Sequence, residues 1–330
     1  MPDAPLDVVG VGNAIVDVIA QAEPALIERL ALAKGAMTLI EADDAERLYG
    51  EMGAGIESSG GSAANTLAGI ASLGGRGAYI GKVRDDQLGT AFSHDISAIG
   101  VDYRLRPATE GPPTARCLIF VTPDADRTMQ TFLGVSILLG PDDIDPETIG
   151  DAQVTYLEGY LFDRDEAKEA FVKAAELAHA AGRKVALTLS DPFCVDRHRT
   201  SFLHLVQGHV DILFANHDEI TSLYRTESFD EAVASVAGHV EIAAITRGAE
   251  GSVIVTGNDV IEIPAEPVAK VVDTTGAGDL YAAGVLYGIT RGYELDVAGR
   301  IGSICAAEVI SHYGARPETS LSALVKSRLG

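Results

Sequence analysis

Tryptophan is absent from this 330-residue chain, cysteine occurs three times and methionine four times, and Lys plus Arg number 25 against 48 Asp plus Glu. Cysteines at 117, 194 and 305, with no C-x-x-C pair and no histidine at ligand spacing, supply neither a disulfide framework nor a zinc site. They read as small buried apolar residues of a reducing compartment. The formal charge of −23 repels phosphate backbones and anionic lipid, which argues against nucleic acid and membrane surface as partners. An anionic ligand would have to be held locally, by backbone N–H groups, a few arginines or a metal. No uninterrupted apolar run of about 18 residues is present to span a bilayer. The opening MPDAPLDVVGVG carries no basic stretch ahead of an apolar one, so a cytoplasmic protein is expected.

What the chain does have is 47% hydrophobic residues, enough for one large core with a small appendage. Apolar runs of strand length stand at 6–12, 78–83, 154–160, 184–190, 210–216, 241–248 and 252–257. Helical patterns separate them, as in TLAGIASLG (66–74) and DEAKEAFVKAAELAHAAG (165–182). Such alternation predicts an α/β fold whose strands are buried on both faces of a mostly parallel sheet. Two stretches, 14–55 and 101–132, break the pattern. RCLIFVTPDADRTMQTFLG reads as two strands around the turn PDAD, a hairpin of a small separate sheet. The expected division is therefore a large α/β domain from 1–13, 56–100 and 133–330, with 14–55 and 101–132 forming a small β lid.

Two common nucleotide signatures fail. Gly10 to Ile15 begins like a dinucleotide fingerprint but has Ile15 where the third glycine belongs, and Gly81-Lys82 is followed by Val83, not by a hydroxyl residue. The strongest motif is Asp273-Thr274-Thr275-Gly276-Ala277-Gly278-Asp279, which follows AKVV, read as a short strand, and opens an apolar helix. Glycines at a helix N-terminus let unpaired amides approach an anion, and Asp279 in the first turn is placed to take a proton from an attacking hydroxyl. Gly60-Gly61-Ser62-Ala63-Ala64-Asn65 offers a close-approach backbone and an amide for sugar hydroxyls, or else a plain capped turn. Asn13 and Asp17 follow the first strand, where open α/β sheets bind ligands. Asn216 and Glu219 share one helical turn, suiting either a water-bound Mg²⁺ or an ordinary helix cap. Thr246-Arg247-Gly248 with Gly251 could receive the outer phosphates or the ribose of a nucleotide.

GGSAAN at 60–65, NHDE at 216–219 and DTTGAGD at 273–279 together resemble, in order and spacing, the ribokinase or PfkB family of carbohydrate and nucleoside kinases. GVGNAIVD (10–17), LTLSDPF (187–193) and VDILFANHDE (210–219) are most similar to the adenosine kinase branch. The resemblance implies a ribokinase-like fold, ATP and Mg²⁺ as cofactors, and a K⁺ bound through the carbonyls of Asp273 and Thr275. It makes Asp279 the catalytic base, the amides of Gly276, Ala277 and Gly278 the anion hole, and Arg127 a mobile phosphate contact. Asn13, Asp17, Gly60, Gly61 and Asn65 would hold ribose hydroxyls, and Met37, Tyr160 and Leu161 would meet the base. Asn216 and Glu219 would order Mg²⁺ through water, and Thr246, Arg247, Gly248 and Gly251 would form the ATP loop. The implied reaction carries the γ-phosphoryl of ATP to the 5′-hydroxyl of adenosine, giving AMP in purine salvage. A free-sugar kinase (ribose, fructose or ketodeoxygluconate) or a non-catalytic nucleoside sensor is the alternative. The expected partner is a small molecule, and the expected assembly a monomer or a homodimer.

Overall fold

The computed structural model describes residues 4–124 and 126–330. Its strands are β1 Leu6–Val11, β2 Ile15–Gln21, β3 Met37–Leu39, β4 Gly55–Gly60, β5 Gly77–Ile80, β6 Val101–Tyr103, β7 Ala115–Val121 and β8 Arg127–Phe132. They continue as β9 Ala152–Glu158, β10 Lys184–Thr188, β11 Ile212–Asn216, β12 Ile242–Thr246, β13 Ser252–Thr256 and β14 Asp259–Ile263. Nine of them form one sheet in the order β14-β13-β12-β11-β10-β9-β1-β5-β6, parallel except at one edge, where β13 pairs antiparallel with both β12 and β14. All six residues of β1 are buried, and its run is apolar but for Asp7, whose carboxylate accepts from the Arg76 amide at 2.7 Å and pairs with Arg291 at 2.9 Å. Helices Asp165–Ala180, Pro192–Gly208, His217–Tyr224 and Phe229–Val236 pack on one face. Ser62–Ser72, Gln87–Ala98 and Ala277–Thr290 pack on the other. This is the expected ribokinase-like layering. Among the described residues no helix is long and apolar enough to cross a membrane.

The second sheet runs β3-β8-β7-β2-β4, and the hairpin expected from 116–134 is its β7 and β8, paired antiparallel. Ala125, inside the expected turn PDAD, lies outside the described residues. Strand alternation sorts this sheet into two faces. Val16, Val18, Leu118 and Phe120 are buried with Ile27 and Leu48 of the helices Pro24–Arg29 and Ala42–Tyr49. The opposite set, in register as Asp17 beside Cys117, Cys117 beside Thr131 and Met37 beside Met129, looks toward the large sheet.

Three boundaries differ from expectation. β4 extends the small sheet to residue 60, because Ile15 to Ala20 of β2 find their antiparallel partners there. β6 at 101–103 joins the large sheet beside β5 instead of the small one. AKVV at 269–272 is not a strand: its Val272 amide donates to the Ile310 carbonyl at 2.8 Å, and no ladder forms.

Candidate active site

The loops at the carboxyl ends of β1, β9, β10, β11 and β12 open into one cavity of about 820 Å³ roofed by the inner face of the small sheet. That is where open α/β sheets bind ligands. The helix Ala277–Thr290 starts at its rim. Gly276 has φ 78°, and a Cβ there would lie 2.8 Å from the Ala315 Cα, so only glycine turns the chain into this helix. The Ala277 amide donates to the Thr274 carbonyl at 3.2 Å. Among the described residues no acceptor meets the amides of Gly276, Gly278 and Asp279, which leaves these three for an anion. Of the three residues expected at the anion hole, all line the cavity, and the Ala277 amide is the one that closes the turn onto Thr274.

Asp279 accepts from Ser62 Oγ at 2.6 Å and from Asn65 Nδ2 at 3.1 Å. Burial pushes its pKa up to about 6 against these two bonds. Ser62 and Asn65 begin the helix Ser62–Ser72, whose cap Gly61 has φ 103° and lies so close to the Asn13 carbonyl that a side chain would collide with it. Asp17 is likewise held near 6 by burial, opposed by Arg316 and Arg127 and reinforced by Asp279. Gly60 is not a wall of the cavity; its missing side chain is the space into which the Asp17 carboxylate fits.

Asn13 is buried, and its side-chain amide is engaged at both ends: Nδ2 donates to Glu158 Oε1 at 2.9 Å and Oδ1 accepts from Ser136 Oγ at 2.8 Å. Glu158 also accepts from the Ala63 amide at 2.8 Å, and burial lifts its pKa to about 7. Asn13 and Glu158 thus form one buried pair at the wall of the cavity. Tyr160 lines the cavity with its hydroxyl donating to the Ser190 carbonyl at 3.1 Å. Leu161, expected beside it at the base, points the other way into the core at 1% exposure, because the single 3₁₀ turn after β9 sends successive residues to opposite sides.

Asn216 and Glu219 form a reciprocal helix cap. Asn216 Oδ1 accepts from the Glu219 amide at 2.8 Å, and the Glu219 carboxylate accepts from the Asn216 amide at 2.9 Å and from Asn216 Nδ2 at 2.7 Å. Both line the cavity, and burial raises Glu219 to about 7, with Asp191, Asp218 and Asp279 adding to the rise. Among the described residues no three metal-ligating side chains converge, so the donor set fits a Mg²⁺ held through water and substrate oxygens and does not fit a protein cage. Thr246, Arg247 and Gly248 border the same end, the Arg247 guanidinium resting 5.3 Å from the Phe229 ring centre. Gly251 is off the wall, holding the turn through its carbonyl, which accepts from the Arg247 amide at 2.7 Å.

Arg127 reaches from β8 to the loop before the helix Ala277–Thr290, pairing with Asp273 and donating to Thr275 Oγ1 at 3.2 Å. The Asp273 side chain in turn accepts from the Thr275 amide at 3.0 Å and the Gly314 amide at 3.0 Å. Sequence reasoning missed Glu158, Ser62 and Arg316. Glu158 carried one signal, an acid ending an otherwise apolar strand; Arg316 carried none. Of the inward apolar row Ile15, Met37, Cys117, Ile119 and Met129, the sequence pointed to Met37 alone; the strand register brings the other four beside it.

The fold and the helix-start cleft define a phosphotransferase of sugar-like hydroxyls, and residues 34–321 match the pfkB family of carbohydrate kinases, to which the chain belongs. Enzymes of this family phosphorylate hydroxyl groups of sugars or nucleosides. The chain is 50% identical to the adenosine kinase from Sinorhizobium meliloti, whose structure superposes with TM-score 0.91 over 98% of this chain and 100% of that one. It is 32% identical over 263 residues to the 5-dehydro-2-deoxygluconokinase of Shouchella clausii, covering 77% of this chain and 81% of that one. The nucleoside kinase of Methanocaldococcus jannaschii is 27% identical over 256 residues, covering 77% and 80%.

Proposed function

We propose that the protein transfers the γ-phosphoryl group of ATP to the 5′-hydroxyl of a ribonucleoside, adenosine first. The observation that carries this reading is the inner face of the small sheet, where Ile15, Met37, Leu39, Cys117, Ile119 and Met129 face the cavity above Asp17 and Asn65. A flat heterocycle buries against such a face, whereas the hydroxyls and carboxylate of a free sugar acid would be left without partners there. The similarity to an adenosine kinase over nearly the whole chain supports the same substrate.

In this reading Asp17 accepts from the vicinal diol, and Asn65 and Ser62 hold Asp279. The 5′-oxygen attacks the γ-phosphorus, its proton passes to Asp279, and the bond to the departing ADP breaks. Charge gathering on the transferred group meets the amides of Gly276, Gly278 and Asp279, and Arg127 is in reach of the same loop. Mg²⁺, when bound, supplies positive charge between the phosphates; Asn216 and Glu219 would order its waters. Thr246 to Gly248 would take the nucleotide's far end. The small sheet acts as a lid that excludes water as a competing acceptor. With its three cysteines buried, the protein suits the reducing cytoplasm.

A free-sugar substrate is the second reading, favoured by the 5-dehydro-2-deoxygluconokinases among the relatives. Initial rates of ADP release across adenosine, 2′-deoxyadenosine, ribose, fructose and 5-dehydro-2-deoxygluconate decide between them. Adenosine should give the highest kcat/KM. A free sugar outpacing every nucleoside overturns the nucleoside assignment and leaves the family in place.

A further inference from the structure

Arg316 follows the helix Leu295–Val309 by seven residues and projects into the junction between the two sheets. Its Nη2 donates to Ser59 Oγ on β4 at 2.8 Å, its Nε to Asn65 Oδ1 at 3.4 Å, and its Nη1 lies 3.6 Å from Asp95 Oδ2. Ser59 and Asn65 are both buried. Asp95 is itself engaged, accepting from the Ser59 amide at 2.8 Å and from its hydroxyl. One guanidinium thus joins β4, the helix Gln87–Ala98 and the helix Ser62–Ser72 from a position 251 residues away from Asn65.

An arginine donates and never accepts, so the atom of Asn65 that faces it must be the carbonyl oxygen. The Asn65 NH₂ is thereby directed at Asp279, 3.1 Å away. Were the amide free to turn, an oxygen could face the carboxylate and the bond would be lost. Arg316 also lies close to Asp17, whose carboxylate packs against Gly60, the residue after the Ser59 that Arg316 holds.

We propose that Arg316 is a positioning residue of the active site: it fixes the orientation of Asn65 toward Asp279 and supplies the counter-charge of Asp17. This rests on the reading of Asp279 as base and Asp17 as diol acceptor. Arg316 acts through these residues and needs no contact with substrate. The charged and titratable groups facing Asp17 are Arg316, Arg127, Asp279 and the Cys117 thiol, and those facing Arg316 are Asp95, Asp17 and Tyr79. Removing one cation from this set makes the Asp17 carboxylate harder to ionise, so the acid limb of kcat/KM moves to higher pH.

The test measures kcat and kcat/KM for adenosine from pH 5 to 9 in wild type, Arg316→Gln and Arg316→Lys, with thermal melting of each protein. Arg316→Gln should shift the acid limb upward by about one pH unit and lower kcat roughly tenfold through the loosened Asn65. Arg316→Lys keeps the charge and should return the limb to within a few tenths of a unit of wild type. If Arg316→Gln gives a profile that superimposes on wild type after scaling, with a loss constant across pH, the residue only holds the fold and the proposal is overturned. A limb displaced equally in Arg316→Lys overturns it too, and that variant decides the matter should Arg316→Gln melt too low to assay. A wild-type protein that turns over sugars and no nucleoside removes the substrate reading alone. The same variants are then scored on that sugar, where an unshifted limb would again refute the role of Arg316.

Discussion

Replacing Asp279 with asparagine should harm the reaction and help the fold, and the two effects can be worked out from the same geometry. The amide keeps the shape of the carboxylate: its NH₂ can donate to Ser62 Oγ and its oxygen can accept from Asn65 Nδ2, so the 2.6 and 3.1 Å contacts survive. What disappears is the ability to take the hydroxyl proton. General-base catalysis contributes about 10²- to 10⁴-fold, so kcat should fall at least about 100-fold while nucleotide affinity is kept. Stability moves the other way. A carboxyl whose folded pKa is raised from 3.8 to about 6 costs nothing where both states are protonated, below 3.8, and its full penalty applies above about 6. At about 1.4 kcal/mol per pH unit the ionised group costs up to about 3 kcal/mol at pH 8 and roughly half that at pH 5. Removing this cost should raise Tm by roughly 2 to 4 °C at pH 8 and by less at pH 5. A coupled assay of ADP release and calorimetry at the two pH values read both effects. A variant that keeps more than a tenth of wild-type kcat refutes the base, and a Tm gain that does not grow with pH refutes the electrostatic account.

Glu219→Gln should leave the helix start at Asn216 largely in place and raise the free Mg²⁺ needed for half-maximal rate severalfold, since a neutral amide orders the metal's waters less well; an unchanged titration at normal kcat would reduce Glu219 to a cap. Arg127→Ala severs the small sheet's link to Asp273 and Thr275, so amide exchange through 115–121 and 127–132 should quicken, and in wild type adenosine should slow it; identical exchange with and without nucleoside would contradict a lid. Asp17→Ala should raise KM for adenosine by roughly tenfold or more beyond its effect on 2′-deoxyadenosine, because each hydroxyl bonded to a charged acceptor contributes about 1.5 to 3 kcal/mol and the deoxy substrate has one fewer to lose; equal penalties would show that Asp17 does not touch the diol.

The layers of the large domain were legible because both-face burial writes itself as apolar runs, as in β1 and β9, and because Gly61 and Gly276 mark backbone that no other residue adopts. The walls of the site were less so. Leu161 and Tyr160 are adjacent in sequence and opposite in space, since a 3₁₀ turn has neither period a strand nor a helix would impose. Glu158 and Asn13 are 145 residues apart and Arg316 and Asn65 251, so their pairing depends on the strand order, which no local pattern states. AKVV has the composition of a strand but pairs with none and stays a loop, its Val272 amide bonded to the Ile310 carbonyl. The Asn216 and Glu219 pair was readable as a cap or a metal site, and the geometry is that of a cap whose acid still faces the cleft.

Four segments join the two sheets: residues 12–14 between β1 and β2, Gly61 after β4, 104–114 between β6 and β7, and 133–151 between β8 and β9. Two of them border the cavity: Asn13 sits in the first, and the second leads into Ser62 and Asn65, which hold Asp279. On the proposed reading, a swing of the small sheet turns backbone next to Asn13 and next to the residues that hold Asp279, so closing the roof and aligning the base become one movement. A ligand that fills the apolar roof without reaching Asp17 should then occupy the cleft while leaving it ajar.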